Sequence, residues 1–219
     1  AHRPNGRIMM KHRGILIVVS GFSGAGKGTL MKELISTYDN YALSVSMTTR
    51  KPRAGEEEGK SYFFVEKEAF EHTIAEDGLI EYACYCGNYY GTPREYVESC
   101  LDKGQDVILE IEIQGALKVK EKFPDALLLF IMPPSAKELR RRLEGRGTES
   151  DEVICQRISR AAEEAEGIEN YEYIIINDKL DECVKEMHGI INAARRSPQR
   201  NKELIAGMRS ELDALVKGE

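Results

Sequence analysis

Nine consecutive residues near the start of the chain combine four glycines with one lysine, a pattern suited to binding phosphate. Glycines let successive backbone N–H groups turn toward phosphate oxygens, and a lysine can reach the β- and γ-phosphates of a nucleoside triphosphate as a compact cation. The predicted phosphate-binding loop, and with it the ATP-type donor site, comprises Gly21, Phe22, Ser23, Gly24, Ala25, Gly26, Lys27, Gly28 and Thr29.

The segments on either side of this loop have the hydrophobic patterns of a strand and a helix. Residues 15–19 are an apolar, mostly β-branched run, and residues 29–35 place apolar side chains at helical spacing. A helix that begins at the loop would add its partial positive charge to the phosphate site. An ordinary strand, turn and helix could also contain glycines, but it would not need Lys27. Where the common pattern has Ser or Thr, whose hydroxyl ligates Mg²⁺, this chain has Gly28. A direct bond from a protein hydroxyl to the metal is therefore not expected at this position.

A second set of polar residues has the chemistry to bind a phosphorylated base. Arg50 and Arg53 offer planar forks for a phosphate, and Tyr62 and Tyr90 add hydroxyl donors. Glu81 lies in a half-apolar segment, where its carboxylate needs donors such as the N1–H and N2–H₂ of guanine. A strand glutamate that simply faces solvent is the alternative. The set is Ser46, Arg50, Arg53, Glu56, Tyr62, Glu81, Tyr90 and Thr92.

A third set consists of arginines that could stabilise the charge of a phosphoryl group during transfer. Arg142 and Arg146 are four residues apart, so a continuous helix would put them on one face. A solvated basic face that pairs with nearby glutamates is the competing interpretation. The set is Arg140, Arg141, Arg142, Arg146 and Arg157.

Strand and helix patterns alternate along the chain, which predicts an α/β fold with a mostly parallel sheet flanked by helices. Ligands bind at the carboxyl ends of such strands, where Glu110, Glu112 and Asn177 are expected. Capping boxes are predicted at Thr92 with Glu95 and at Ser135 with Glu138. The predicted strands after the loop are 41–46, 61–65, 79–85, 88–91, 106–113, 127–132 and 173–177, the last of them buried. The predicted helices include 67–76, 93–103, 151–166 and 180–196.

Composition excludes several classes of protein. The chain has 219 residues, is 42% hydrophobic and 31% charged, and has no apolar run near the roughly 20 residues of a membrane span. Its net charge of −6 argues against general nucleic-acid affinity. Five scattered cysteines indicate reduced thiols in a cytoplasmic protein. A terminal helix is expected to pack on the core rather than on another subunit, through Leu204, Ile205, Met208, Leu212 and Leu215.

Four segments together resemble the guanylate kinase family: 20–29, 46–56, 87–92 and 143–148. The resemblance runs in order from about residue 14 to residue 191. The Thr-Thr-Arg-x-Pro-Arg-x-Gly-Glu run at 48–56 is its most specific part. The resemblance implies transfer of the γ-phosphoryl group of ATP to GMP, and to dGMP, in purine nucleotide metabolism.

The family resemblance also implies a role for each candidate residue. Guanine would bind to Ser46, Glu81 and Thr92, and the GMP phosphate to Arg50, Arg53, Tyr62 and Tyr90, with Glu56 nearby. Asn177 would lie near the adenine. Mg²⁺ would be held by phosphates and water, without a direct protein ligand, near Glu110 and Glu112. The residues expected to act in catalysis are Lys27, Arg50, Arg142, Arg146 and Arg157.

The resemblance divides the chain into one domain, 12–197, with two inserted parts. The core is expected at 12–45, 93–141 and 166–197, a mixed GMP-binding subdomain at 46–92 and a helical lid at 142–165. Residues 1–11 are expected to be an N-terminal extension or an expression remnant, and 198–219 a C-terminal helix.

Two other classes of function stay open at this point. Guanylate-kinase-like modules bind proteins without catalysis, but they typically lack a functional phosphate loop. A kinase of the same architecture could act on AMP or UMP, although Glu81, Ser46 and Thr92 favour guanine. ATP and GMP are the expected partners, with neither a nucleic acid nor a membrane, and the sequence leaves the oligomeric state undetermined.

Overall fold

The computed structural model describes residues 13–53, 55–85, 87–145 and 150–218. Its strands are β1 Leu16–Gly21, β2 Tyr41–Leu43, β3 Met47–Thr48, β4 Phe63–Phe64, β5 Leu79–Tyr85, β6 Asn88–Pro93, β7 Asp106–Glu110, β8 Leu127–Met132 and β9 Tyr173–Ile176. Its α-helices are α1 Lys27–Thr37, α2 Lys67–Ala75, α3 Arg94–Asp102, α4 Ile113–Lys122, α5 Ala136–Glu144, α6 Asp151–Ala165, α7 Leu180–Arg195 and α8 Lys202–Lys217. Among the described residues, no helix has the length and apolar character needed to cross a membrane.

A five-stranded parallel sheet forms the core, with the strand order β2-β7-β1-β8-β9. The three central strands are apolar and almost completely buried, and they supply much of the hydrophobic core. Helices α1, α3 and α4 pack against this sheet, and α7 packs against α1 and β9. Central parallel strands lie between covered faces, which explains why they carry continuous Val, Ile and Leu rather than alternation. The predicted α/β fold with a parallel sheet core is confirmed.

A smaller four-stranded sheet forms between positions 47 and 93, in the order β4-β3-β6-β5. Strands β3 and β4 are parallel, whereas β6 is antiparallel to both β3 and β5. The strand predicted at 41–46 is shorter than expected and ends at Leu43. The Ser44 N–H still donates to the Ile108 carbonyl of the core, and the chain then leaves for the smaller sheet at Met47.

Two further strand predictions need correction. The strand predicted at 106–113 ends at Glu110, and helix α4, which was not predicted, begins at Ile113. The apolar residues of α4 follow a helical period, with Ala116 and Val119 buried three residues apart. Strand β9 is an edge strand rather than a buried one, so Ile174 and Ile176 are exposed and Ile175 alone is buried.

The prediction that the terminal helix packs on the core is wrong. Helix α8 has no buried residue, and Leu204, Met208, Leu212 and Leu215 are 48–72% exposed. Its amphipathic pattern is real, but in this structure no described part of the chain covers the apolar face. Periodicity predicts that a helix has an apolar face and does not specify what packs on it.

A buried carboxylate links elements at the amino-terminal ends of the core strands. Asp106 is 1% exposed, accepts the Ile15 N–H at 2.8 Å and pairs with Arg195 at the end of α7. A buried charge is costly unless it is paired, so this pair fixes α7 to the sheet.

Candidate active site

The phosphate-binding loop lies between β1 and α1, as the sequence predicts. Lys27 is the first residue of α1, and its Nζ donates to the carbonyl oxygens of Gly21 at 2.7 Å and Phe22 at 3.2 Å. Gly26 precedes the helix with φ +86°, a left-handed conformation that favours glycine. The loop therefore presents a helix N-terminus and a lysine to one cavity.

Asn177 supports this loop from the end of β9. Its Nδ2 donates to the Ala25 carbonyl at 2.8 Å, and both residues are buried. A Cβ at Gly26 would lie 2.5 Å from the same Nδ2, so the amide packs tightly against the loop backbone. The structure thus gives Asn177 a contact with the loop, while its expected position near adenine stays a prediction.

A cavity of about 700 Å³, here called the loop cavity, opens in front of the loop. Arg157 of α6 reaches it and donates from Nη1 to Ser23 Oγ at 3.0 Å. Arg142 instead donates to Glu138 Oε1 of its own helix at 2.7 Å, and Arg146 lies outside the described residues. The loop cavity is lined by Ser20, Gly21, Ser23, Lys27, Tyr62, Glu110, Ile111, Glu112, Ile113, Phe130, Val153, Gln156, Arg157, Arg160 and Glu164.

The two remaining arginines of the predicted set face acidic neighbours on helix α5. Arg140 pairs with Glu144 at 2.8 Å, and Arg141 pairs with Glu138 at 2.7 Å. Both arginine side chains are more than 60% exposed, as expected of a solvated basic face. The competing interpretation thus applies to Arg140 and Arg141, and the structure brings Arg157 to the loop.

A second cavity of about 380 Å³, here called the acceptor cavity, lies beside the smaller sheet. It collects six of the eight residues predicted for a phosphorylated base: Ser46, Arg50, Arg53, Tyr62, Glu81 and Tyr90. Residues distant in sequence meet here because β3, β5 and β6 are neighbours in one sheet. Both cavities share Tyr62, Glu110, Ile111 and Glu112, so a group bound in one lies next to a group bound in the other.

Glu56 holds Arg50 at the edge of the acceptor cavity. Its two carboxylate oxygens accept from Arg50 Nη1 and Nη2 at 3.0 and 2.8 Å, and Oε2 also accepts the Arg53 N–H at 2.8 Å. These bonds lower the pKa of Glu56 and raise that of Arg50. The guanidinium also lies 5.4 Å from the centre of the Tyr62 ring. Glu56 and Tyr62 thus fix the position of the Arg50 guanidinium beside the acceptor cavity.

Glu81, which lines this cavity, forms a buried pair with Thr92. The Thr92 hydroxyl donates to Glu81 Oε1 at 2.8 Å, and burial raises the pKa of Glu81. The capping box predicted at Thr92 and Glu95 is wrong, because α3 begins at Arg94 and Pro93 is its N-cap without a side-chain bond. By contrast, Ser135 Oγ does accept the Glu138 N–H at 3.1 Å, which is the serine half of the predicted capping box, while the Glu138 carboxylate bonds Arg141 and Arg142 instead.

The acidic end of β7 lies at the junction of the two cavities. Burial raises the pKa of Glu110, and the nearby Lys27 partly offsets that shift. Glu112 is the N-cap of α4, and its Oε1 accepts from Arg160 Nη2 of α6 at 2.6 Å. Sequence reasoning missed Arg160, although its spacing of three from Arg157 on one helix was a usable signal. It also missed Gly115 of α4, which lines the acceptor cavity.

Comparison with known proteins identifies the family. A family model described as guanylate kinase matches residues 13–194. The chain belongs to the guanylate kinase family. It is 50% identical to the guanylate kinase of Caldanaerobacter subterraneus subsp. tengcongensis over 202 residues, which are 92% of this chain and 98% of that one. It is 53% identical over 185 residues to that of Streptococcus thermophilus, covering 84% of this chain and 88% of its relative.

A solved structure agrees with this assignment. The crystal structure of guanylate kinase from Anaplasma phagocytophilum superposes with a TM-score of 0.70 at 36% sequence identity, covering 88% of this chain and 92% of that one. The family resemblance predicted from the sequence is therefore confirmed, and with it the assignment to the nucleoside monophosphate kinases.

Proposed function

We propose that this guanylate kinase transfers the γ-phosphoryl group of ATP to GMP, giving ADP and GDP. The observation that carries the proposal is the pair of adjoining cavities. One contains the phosphate-binding loop with Lys27 and Arg157, and the other contains the arginine fork and Glu81. Because the cavities share the residues at the end of β7, donor and acceptor phosphates would meet there in a protected space.

In the acceptor cavity, Arg50 and Arg53 would bind the GMP phosphate together with the hydroxyls of Tyr62 and Tyr90. The phosphate would contact the guanidinium that Glu56 already orients, and a planar fork suits phosphate oxygens. In the same cavity, the Glu81 carboxylate would accept from guanine N1–H and N2–H₂. Ser46 and Thr92 complete the proposed base site, with Thr92 acting by orienting Glu81.

In the loop cavity, the backbone of residues 21–29 would surround the ATP phosphates. Lys27 would leave the Gly21 and Phe22 carbonyls for the β- and γ-phosphates. Arg157, with Arg142 and Arg146, would stabilise the charge that spreads over the transferred group.

Mg²⁺ fits this arrangement as a partner of the nucleotide. Among the described residues, no cluster of three or more His, Cys, Asp or Glu could hold a metal ion. Gly28 brings no hydroxyl, and Glu110 lines both cavities. The ion would therefore be held by phosphate oxygens and water, with Glu110 and Glu112 nearby, and would neutralise phosphate charge when bound.

The proposed subdomains correspond to the two sheets. The larger sheet would belong to the core at 12–45, 93–141 and 166–197, and the smaller one to a GMP-binding subdomain at 46–92. Residues 142–165 would act as a lid over ATP, a role supported by the contact between Arg157 and Ser23. A cytoplasmic location is supported by the free thiols of Cys84, Cys100, Cys155 and Cys183.

Phosphorylation of GMP, AMP, UMP and CMP by ATP and Mg²⁺, measured side by side, tests the proposal. We expect GMP to be preferred by roughly 10⁴-fold, because a buried site built to hydrogen-bond one base leaves polar groups unpaired with another. Lys27→Ala should abolish turnover, whereas Lys32→Ala, an exposed lysine of the same helix, should not. Absence of GMP phosphorylation at millimolar substrate would overturn the proposal.

A further inference from the structure

Gly115 lies in the first turn of α4, where it lines the acceptor cavity beside Glu81. Its φ is not positive, so the backbone conformation does not require glycine. Glycine also costs a helix about 0.5–1 kcal/mol relative to alanine. Neither backbone conformation nor helix stability therefore explains why position 115 carries a glycine.

The space beside Gly115 is occupied by the carboxylate of Glu81. A Cβ at position 115 would lie 3.2 Å from Glu81 Oε2 and 3.7 Å from its Cδ, with Ile111 Cδ1 at 3.4 Å. The shortest of these distances is less than ordinary van der Waals contact, so Glu81 would have to shift by a few tenths of an ångström.

The Glu81 carboxylate has little freedom to make that shift. Its other oxygen, Oε1, accepts from the buried Thr92 hydroxyl at 2.8 Å, and Glu81 itself is 7% exposed. Movement away from position 115 would therefore strain the bond to Thr92 or move the carboxylate into the cavity. Hydrogen bonds weaken steeply when their geometry is disturbed, and bonds to charged groups are among the stronger ones.

We infer that Gly115 is a specificity-determining residue, which leaves room for the Glu81 carboxylate to face the guanine edge. The inference rests on the proposed role of Glu81 as the acceptor for guanine N1–H and N2–H₂. Gly115 is a positioning residue, since it acts through Glu81 and has no side chain to offer the substrate.

The substitution Gly115→Ala tests this inference in the full-length enzyme. We expect the KM for GMP to rise roughly tenfold, as for one impaired hydrogen bond to a charged group, with kcat and the KM for ATP within about twofold. The preference for GMP over IMP, which lacks the 2-amino group, should fall. The matched control is Gly189→Ala in α7, where an added Cβ meets no atom within 4 Å.

Two further measurements separate positioning from a structural role. The thermal midpoint of Gly115→Ala should stay close to that of the wild type, because the higher helix propensity of alanine offsets part of the strain at Glu81. If the midpoint falls by many degrees and kcat falls with it, while Gly189→Ala changes neither, the substitution acts through general destabilisation and the inference is overturned. In a Glu81→Ala background, where the carboxylate is gone, Gly115→Ala should leave the KM for GMP unchanged.

The experiment also distinguishes this inference from the proposed function. If Glu81→Ala weakens GMP but Gly115→Ala does not, the inference fails and the proposed base site stands. If Glu81→Ala leaves the KM for GMP unchanged, the role proposed for Glu81 fails, and the inference fails with it. A fall in GMP affinity of the same size in both backgrounds would show that residue 115 acts independently of Glu81, which also overturns the inference.

Discussion

Asn177→Ala is expected to weaken the binding of every nucleoside triphosphate by the same factor. In the structure the Asn177 amide holds the phosphate-binding loop, through the 2.8 Å bond from Nδ2 to the Ala25 carbonyl. Gly26, in its left-handed conformation, packs directly against that amide. Alanine would remove both the donor and the packing, so the loop would lose part of its preorganisation for phosphate.

The expected magnitude follows from the burial of this bond. Ala25 is fully buried and Asn177 is 7% exposed, so water cannot easily replace the lost donor. Removing one partner of a buried hydrogen bond costs about 1–3 kcal/mol. At about 1.4 kcal/mol for each factor of ten, the affinity for ATP should fall roughly 5- to 150-fold if the loss is expressed in the loop.

Calorimetric titration with ATP, GTP and inorganic tripolyphosphate provides the assay, alongside titration with GMP. A residue that supports the loop should weaken all three polyphosphates equally and leave GMP affinity unchanged. The matched control is Asn170→Ala, since Asn170 donates the same type of bond to the Gly167 carbonyl on the exposed surface. It should change none of the four affinities.

Two results would refute this reasoning. If Asn177→Ala weakens ATP but not tripolyphosphate, the side chain recognises adenine and its bond to Ala25 is incidental. If all four affinities are unchanged, neither role holds. A loss of GMP affinity equal to that of ATP would indicate general unfolding, which a thermal midpoint measured on the same sample would reveal.

Three further predictions concern other parts of the chain. Burial raises the pKa of Glu81, so its ionised form costs stability as the pH rises from its ordinary value through the raised one. Glu81→Gln should therefore gain thermal midpoint over wild type as the pH rises above the ordinary carboxyl range, while its KM for GMP rises. A midpoint difference that is constant with pH would contradict this. Arg195→Ala should lower the free energy of unfolding, measured in urea, by about 2–4 kcal/mol, because it leaves Asp106 buried and unpaired. Its kcat should be unchanged, since Arg195 lies at the edge of the sheet opposite the cavities. Arg157→Ala should lower kcat on the order of 10³-fold in a coupled ADP assay, because Arg157 contacts Ser23 of the phosphate-binding loop. An effect confined to the KM for GMP would contradict the role proposed for Arg157 at the ATP phosphates.

The local parts of the fold could be predicted from sequence because their causes are local. Residues 79–85 and 127–132 are strands with the predicted bounds, since apolar runs between turn residues leave few alternatives. The cap at Ser135 formed because its partner is three residues away on the same helix. Helix α4 was missed, since Ile111 and Ile113 continue the alternation of the preceding strand.

Long-range partners were harder to predict. Thr92 has a sequence suited to capping α3, but its hydroxyl bonds Glu81, eleven residues away and on the neighbouring strand. The Thr92 hydroxyl bonds Glu81 rather than capping α3, because a buried carboxylate without a donor costs more free energy than an uncapped helix end exposed to water. Asn177 likewise bonds a loop that lies 152 residues away in sequence.

The sequence by itself predicted the chemistry of this protein: a loop for a triphosphate, two arginines for a phosphate and a carboxylate for guanine. Those predictions rest on residue types at short spacing. The guanylate kinase family is confirmed, and the roles of the individual residues stay predictions. Only the tertiary structure decided which groups touch. It placed two cavities side by side at the end of β7, brought Asn177 to the loop, left the apolar face of α8 exposed, and left little room for a side chain between Gly115 and Glu81. Such contacts depend on the packing of distant elements, which no local pattern specifies.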